Sequence, residues 1–378
     1  MRALVPLLAC LYATAQEPTP APVPDLVSLL QSASSSYLKA DYEAARQSLL
    51  KAWDLVQQTP PENPARYDVL KRLTSVRTAA GEFADGDNYL QMAIAWREKT
   101  FGADDPKIAD DLLVSVGLRR GMKQYGEAME ILTRVVRMHV SASGFDTVSL
   151  ADDYSRMAQL FMLDGKPVNA AAALGLALEI RTKIAGPLDM SLLPDLDRLG
   201  GIQISQREYE KAEGTYRHAL VVRETLWGKD DADLLATLDG LAYAIFGQKR
   251  FEDAEPIYQR LLALWKKSLG AQADEHPMLA ITLDKVAVFY EAWHKYEQAN
   301  AAEEQANAIR ARFLGTGLSQ AATLRFEQGD KNAAKGFYER ILKALDPPNP
   351  LYDDLRTESE GILKSLAPAP APPRKTKK

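Results

Sequence analysis

The chain has one cysteine, Cys10, in 378 residues. A lone cysteine near the N-terminus leaves the rest of the chain without a disulfide, a cysteine nucleophile or a thiolate metal site. The four histidines, His139, His218, His276 and His294, are widely spaced. No His-rich metal motif forms, and no D-x-D-x-D-G calcium loop is present. There is no G-x-S-x-G, no H-E-x-x-H, no Cys/His pair and no Gly-rich phosphate loop after a strand pattern. Strand patterning is absent altogether. These gaps argue against an enzyme and against a resident cofactor, metal or small-molecule substrate. The net charge of −5 supplies no basic excess to displace counterions, so nucleic acid is not an expected partner. No stretch approaches the ~18 apolar residues of a membrane span.

What is present is repetition. Aromatic-x-x-Ala opens a helix at Tyr42–Ala45, Tyr125–Ala128, Tyr209–Ala212, Phe251–Ala254 and Tyr296–Ala299, with weaker versions at Phe83–Gly86, Pro167–Ala170 and Lys331–Ala334. The last residues of these units stand at 45, 86, 128, 170, 212, 254, 299 and 334, steps of 41, 42, 42, 42, 42, 45 and 35. The 45 step is explained by an insertion, Ala271–Asp274, before His276-Pro277.

Two further markers keep this register. Gly102, Gly144, Gly186, Gly228, Gly270 and Gly315 follow their anchors by 16 residues, and Pro61 and Pro350 take that place in the outer units. Glycine there suits a left-handed helix cap. Twelve residues before each anchor stand Ala33, Thr74, Val116, Ala158, Gly200, Ala242, Ala287 and Ala322, none of them large. A small residue is needed where two helices of a hairpin approach closely. Leu49, Leu90, Leu132, Leu174, Tyr216, Tyr258 and Tyr338 lie four residues after the anchor and continue one apolar stripe. Each unit therefore reads as helix A, a tight turn, helix B and a Gly-capped loop. In the fifth 42-residue unit, helix A is expected near Ala232–Phe246 and helix B near Phe251–Leu269. One hairpin cannot bury its apolar face alone, so the units must stack.

The pattern resembles the tetratricopeptide repeat family, in the longer 42-residue form of kinesin light chains. The residues that carry it are the aromatic-x-x-Ala openings, then Ala177-Leu178-Glu179-Ile180-Arg181 with Gly186, Ala219-Leu220-Val221-Val222-Arg223 with Gly228, and Ala306-Asn307-Ala308-Ile309-Arg310 with Gly315. The resemblance implies an all-α, right-handed superhelical solenoid of about eight helix-turn-helix repeats. Its concave face, lined by helix A, binds peptides or helices of protein partners. Where many members carry paired asparagines, this chain has Lys71-Arg72, Ser155-Arg156, Asp197-Arg198, Asp239-Gly240 and Asp284-Lys285.

The expected organisation is a signal peptide over 1–15, a Pro-rich linker over 16–24, the repeat array over 25–350, a capping helix over 351–366 and a basic Pro/Ala-rich tail over 367–378. Met1-Arg2, a short apolar run and Ala13-Thr14-Ala15 form the signal pattern and point to an exported, periplasmic or extracellular chain. Leu7-Leu8-Ala9-Cys10 resembles a lipoprotein box, which would tether the chain at Cys10 as an envelope assembly factor. Membrane contact is expected only through that lipid or the basic tail.

The groove candidates are Lys71, Arg72, Arg120, Arg156, Gln159, Met162, Arg198, Asp239, Tyr243, Phe246 and Lys285. Arg72, Arg156, Arg198 and Lys285 share one slot of helix A, to which Arg119 and Arg120 add. Such a row would grip an acidic peptide or a C-terminal carboxylate, since guanidinium binds carboxylate bidentately. Asp197, Asp239 and Asp284 hold the adjacent slot, which would instead make a mixed, solvated charge surface. Asp104-Asp105 and Asp230-Asp231 precede a helix A and are read as N-terminal caps. The five tryptophans are expected to pack between helices, one or two of them as exposed anchors.

Overall fold

The computed structural model describes residues 24–103, 105, 107–327, 331–346 and 353–366. The signal-peptide segment 1–15 with Cys10, the linker up to residue 23, Asp104, Pro350 and the tail 367–378 lie outside them. The described chain is all α, with sixteen helices. They are α1 (Pro24–Leu38), α2 (Tyr42–Gln57), α3 (Pro64–Ala79), α4 (Phe83–Phe101), α5 (Lys107–Gly121), α6 (Tyr125–Ser143), α7 (Val148–Leu163) and α8 (Pro167–Ala185). They continue as α9 (Leu193–Ser205), α10 (Tyr209–Trp227), α11 (Leu235–Gly247), α12 (Phe251–Leu269), α13 (Pro277–Ala292), α14 (Tyr296–Glu327), α15 (Lys331–Ala344) and α16 (Asp353–Leu366). Odd-numbered helices up to α13 are helix A, and each is followed by its helix B. The chain packs as two units, residues 1–173 and 174–378, with the boundary inside α8.

The three sequence markers have direct physical counterparts. The anchors Ala45, Ala128, Ala170, Ala212, Ala254 and Ala334 are fully buried. So are Leu49, Leu90, Leu132 and Leu174, with Tyr216, Tyr258 and Tyr338 nearly so. Within each hairpin the A-to-B turn closes with a Schellman pair of bonds. In the α11–α12 turn, Lys249 N–H donates to Phe246 O and Arg250 N–H to Ile245 O. The turn residue takes a left-handed conformation although it is seldom glycine. Ala40, Lys123, Arg207, Lys249 and His294 all have φ near +60°.

The loop glycines differ from the expected cap. Gly102, Gly144 and Gly228 have φ/ψ of 94°/158°, 80°/−166° and 86°/172°. This is not the left-handed helical region, which asparagine also enters. It is the mirror of extended backbone, essentially open to glycine alone. Gly315 departs further: it lies inside α14, a continuous helix of 32 residues. A loop was expected there. Ideal Cβ geometry at Gly315 would meet Leu355 Cδ2 at 2.4 Å, so glycine serves here to let α16 approach, and Ala322 of the same helix is buried in that core.

Short 3₁₀ turns, Met190–Leu192 and Ala232–Leu234, lead into α9 and α11, and Gly270–Glu275 forms a third at the insertion. Asp105 caps α5 through Lys107 N–H, and Asp231 accepts from Asp233 N–H. These acidic loops therefore act as caps, satisfying helix donors that have no intrahelical partner.

Candidate partner-binding cleft

The repeat places a basic side chain near the end of helix B opposite carboxylates on helix A. In the first unit Arg97 Nε lies 3.3 Å from Asp111, which also accepts from Lys71 Nζ at 2.6 Å and the Tyr67 hydroxyl at 2.8 Å. Burial and this carboxylate push the Tyr67 phenol up to about 12. One repeat on, His139 Nδ1 meets the fully buried Asp153 at 2.6 Å. Burial raises the Asp153 carboxyl above its ordinary value, against the opposing pull of His139 and Arg156. In the second unit Arg181 pairs with Asp195 at 3.1 Å. Each bond runs from helix B to the helix A 14 residues later, so it ties successive repeats.

At the next step the aspartate is replaced by Thr237, which is buried with its hydroxyl unpartnered. Arg223 turns the other way and grips Asp197, 26 residues earlier, through two bonds of 2.9 and 2.6 Å. Arg310 bonds Asp284 across the same 26-residue interval. The intervening carboxylate, Asp239, has Trp265 where that arginine would stand. Trp265 stacks on His276 with ring centroids 5.8 Å apart. Asp239 Oδ2 accepts from Lys285 Nζ at 2.6 Å, while its Oδ1 is buried without a partner.

Asp239 lies on the wall of a cleft of about 520 Å³ in the second unit. Helix-A residues form its sides: Gly201 and Ile204 of α9, Ala236, Asp239, Gly240, Tyr243 and Phe246 of α11, and Asp284, Lys285 and Val288 of α13. Tyr216 and Tyr258 reach it from the helix-B layer. Their rings replace the leucines of earlier repeats and need room. Ideal Cβ atoms at Gly200 and Gly240 would sit 2.7 and 2.4 Å from the Tyr216 ring, so two glycines make its slot. Burial, with the negative charge of Asp239 nearby, raises the phenol pKa of both tyrosines. Tyr243 is 41 % exposed and meets Tyr209 and Phe246 edge-on. Val288 is also exposed.

Of the eleven groove candidates, Asp239, Tyr243, Phe246 and Lys285 come together in this cleft. Arg198 is in the same unit but bonds Asp195 at 3.2 Å. The others belong to the first unit. Lys71 is committed to Asp111, Arg72 bonds Asp68 at 2.9 Å and Arg156 bonds Asp153 at 3.0 Å. Arg120 and Met162 are exposed and Gln159 is half-buried. Arg119 pairs with Asp87 and Glu127. Arg72, Arg119, Arg156, Arg198 and Lys285 of the expected row thus each pair with an aspartate of their own or a neighbouring helix. Sequence reasoning missed Tyr216, Tyr258 and Val288 as cleft residues. The change from leucine to tyrosine in the buried stripe was the available signal for the first two. Among the tryptophans, Trp227 is the most exposed at 41 %, and Trp96 donates to Pro61 O at 2.6 Å.

Among the described residues no helix is long and apolar enough to cross a membrane, and no three acidic or His side chains gather to hold a metal. Stacked two-helix units with a 42-residue period and an open, mixed aromatic and charged cleft define an all-α helical-hairpin repeat protein. The tetratricopeptide repeat model matches residues 233–312, which span α11, α12, α13 and the first half of α14. Such repeats generally mediate protein–protein interaction. Similar solved structures include a signal-transduction ATPase with a tetratricopeptide repeat sensor from Pyrococcus horikoshii, 12 % identical, with TM-score 0.50, covering 82 % of this chain and 44 % of that one. A candidate kinesin light chain of Podosopora anserina with nearly identical TPR-like repeats is 16 % identical, with TM-score 0.47, covering 57 % of this chain and 100 % of that one. BtubC (BKLC) of P. vanneervenii is 20 % identical, with TM-score 0.41, over 76 % and 91 % of the two chains. No curated protein matches the sequence.

Proposed function

We propose that this chain is a non-enzymatic interaction scaffold that holds a peptide segment of a partner protein in the α9–α11–α13 cleft. The observation that carries the proposal is the cleft itself. It has exposed apolar side chains, Tyr243 and Val288, beside a carboxylate with an unused acceptor, all on rigid helices. Apolar anchors flanked by a few oriented polar groups are what peptide sites offer.

The test is selection of a random peptide library on the full chain, repeated on Tyr243→Ala/Val288→Ser. Both positions are exposed, so the fold should survive. A family of related peptides enriched on the wild type and lost on the variant is expected. Enrichment that ignores the two substitutions would move the site elsewhere. The signal-like N-terminal pattern supports a location outside the cytoplasm as part of the same proposal. Expression in a bacterial host and the mass of the mature N-terminus test this: cleavage before Gln16 is expected, and an intact Met1 would overturn export. A lipidated Cys10 would instead favour the anchored assembly factor.

A further inference from the structure

The polarity of the cleft goes beyond the acidic peptide suggested by the row of basic side chains. We infer that the cleft selects an arginine side chain of the bound partner peptide and that Asp239 receives it; this rests on the peptide-binding reading above.

The register of the repeat carries the inference. Asp197, Asp239 and Asp284 occupy one slot on three successive helices A. In two of them an arginine from 26 residues further along bonds the carboxylate, Arg223 on Asp197 and Arg310 on Asp284. In the third the arginine is Trp265, drawn off onto His276. Asp239 is therefore the one carboxylate of the three without a guanidinium. Lys285 neutralises its Oδ2, and Oδ1 stays buried and without a donor. A buried acceptor left unpaired is costly, and more so when charged. The second carboxylate torsion is soft, so a small turn presents that oxygen to the cleft.

The neighbouring surface suits a guanidinium rather than an ammonium. Tyr243 and Phe246 line the same cleft as the carboxylate, and Tyr243 is exposed there. A planar guanidinium stacks on such rings while donating in its plane, and it is less strongly hydrated than lysine. An acidic side chain would instead meet Asp239 and Asp284, with Lys285 already committed. The partner segment therefore has the chemistry of an arginine set among apolar residues.

The experiment is selection of phage-displayed random dodecapeptides on the full chain and on Asp239→Asn, a near-isosteric change that leaves the fold in place. The expected result is arginine at one position among apolar residues on the wild type, and no arginine preference on Asp239→Asn. A selected arginine peptide should bind Asp239→Asn at least about tenfold more weakly in fluorescence anisotropy. It should bind Lys285→Gln several-fold more tightly, because the second carboxylate oxygen is released. Apolar or acidic peptides without arginine, or arginine selected equally by Asp239→Asn, would overturn the inference and leave the cleft as a peptide site. Weaker binding to Lys285→Gln would overturn it too, by making Lys285 the contact. No enrichment on any chain would overturn both readings.

Discussion

Replacing Gly240 by alanine should destabilise the second unit, although alanine is the better helix former. In the interior of α11 the change is worth about 1 kcal/mol in favour of alanine by helix propensity. The added methyl, however, would stand 2.4 Å from Tyr216 Cζ and 2.6 Å from its Cε1. That is roughly 1 Å inside ordinary carbon–carbon contact. The ring cannot retreat towards α9, because an ideal Cβ at Gly200 would already lie 2.7 Å from it. Overpacking of this kind costs about 1–3 kcal/mol, and a rigid ring held on both sides belongs at the upper end. The net loss should be about 1–2 kcal/mol. Gly214, exposed in α10 with open space around its Cβ position, is the internal control. Gly214→Ala should stabilise by up to ~1 kcal/mol. Tyr216→Leu, which installs the residue of the earlier repeats, should relieve the clash, so that Gly240→Ala becomes neutral or favourable in that background. The assay is native-state hydrogen exchange read on peptides from α9, α10 and α11, because a repeat array does not unfold as one step. If Gly240→Ala were as benign as Gly214→Ala, the two-glycine slot would be wrong.

The ion ladder between repeats should be unevenly weighted. Asp111→Ala, which strands Lys71 and the Tyr67 hydroxyl and leaves Arg97 only Asp105, should cost about 3 kcal/mol in hydrogen exchange of the flanking helices, whereas Arg72→Ala, an exposed i,i+4 partner of Asp68, should cost under about 1 kcal/mol. Lys249→Gly and Arg207→Gly, both at φ 61°, should each stabilise by about 1 kcal/mol in thermal melts, since glycine enters that region without a Cβ clash. In alkali, the folded Tyr67 phenol should ionise near pH 12 rather than 10, seen as a late absorbance step near 295 nm that shrinks in Tyr67→Phe. Because the folded value is raised, Tyr67 contributes stability that is complete below pH 10 and is lost as pH climbs from 10 towards 12.

Period, hairpin and buried stripe were legible in the sequence because each depends on local spacing. A 42-residue recurrence of an aromatic, a small residue and a glycine specifies two helices and the turns between them wherever the unit is placed. The α12 bounds follow from it, and so do the burial of Ala254 and Tyr258. A helix end marked only by glycine was less secure. Gly315 has the right position and the wrong consequence, since packing of Leu355 against it favours an unbroken α14.

The cleft was half visible. Tyr243, Phe246, Asp239 and Lys285 share helix-A positions that the period itself aligns. What composition and period determined, then, was the class of fold, the helix faces and the residues available for a site. The tertiary structure alone decided which charges are spent. Arg181 reaches forward to Asp195 while Arg223 turns back to Asp197, and the difference lies in whether the facing residue is Asp195 or Thr237. Asp239 is left over because Trp265 stacks elsewhere. Ion pairing follows the distances between side chains of different repeats, and those distances exist only once the helices have packed.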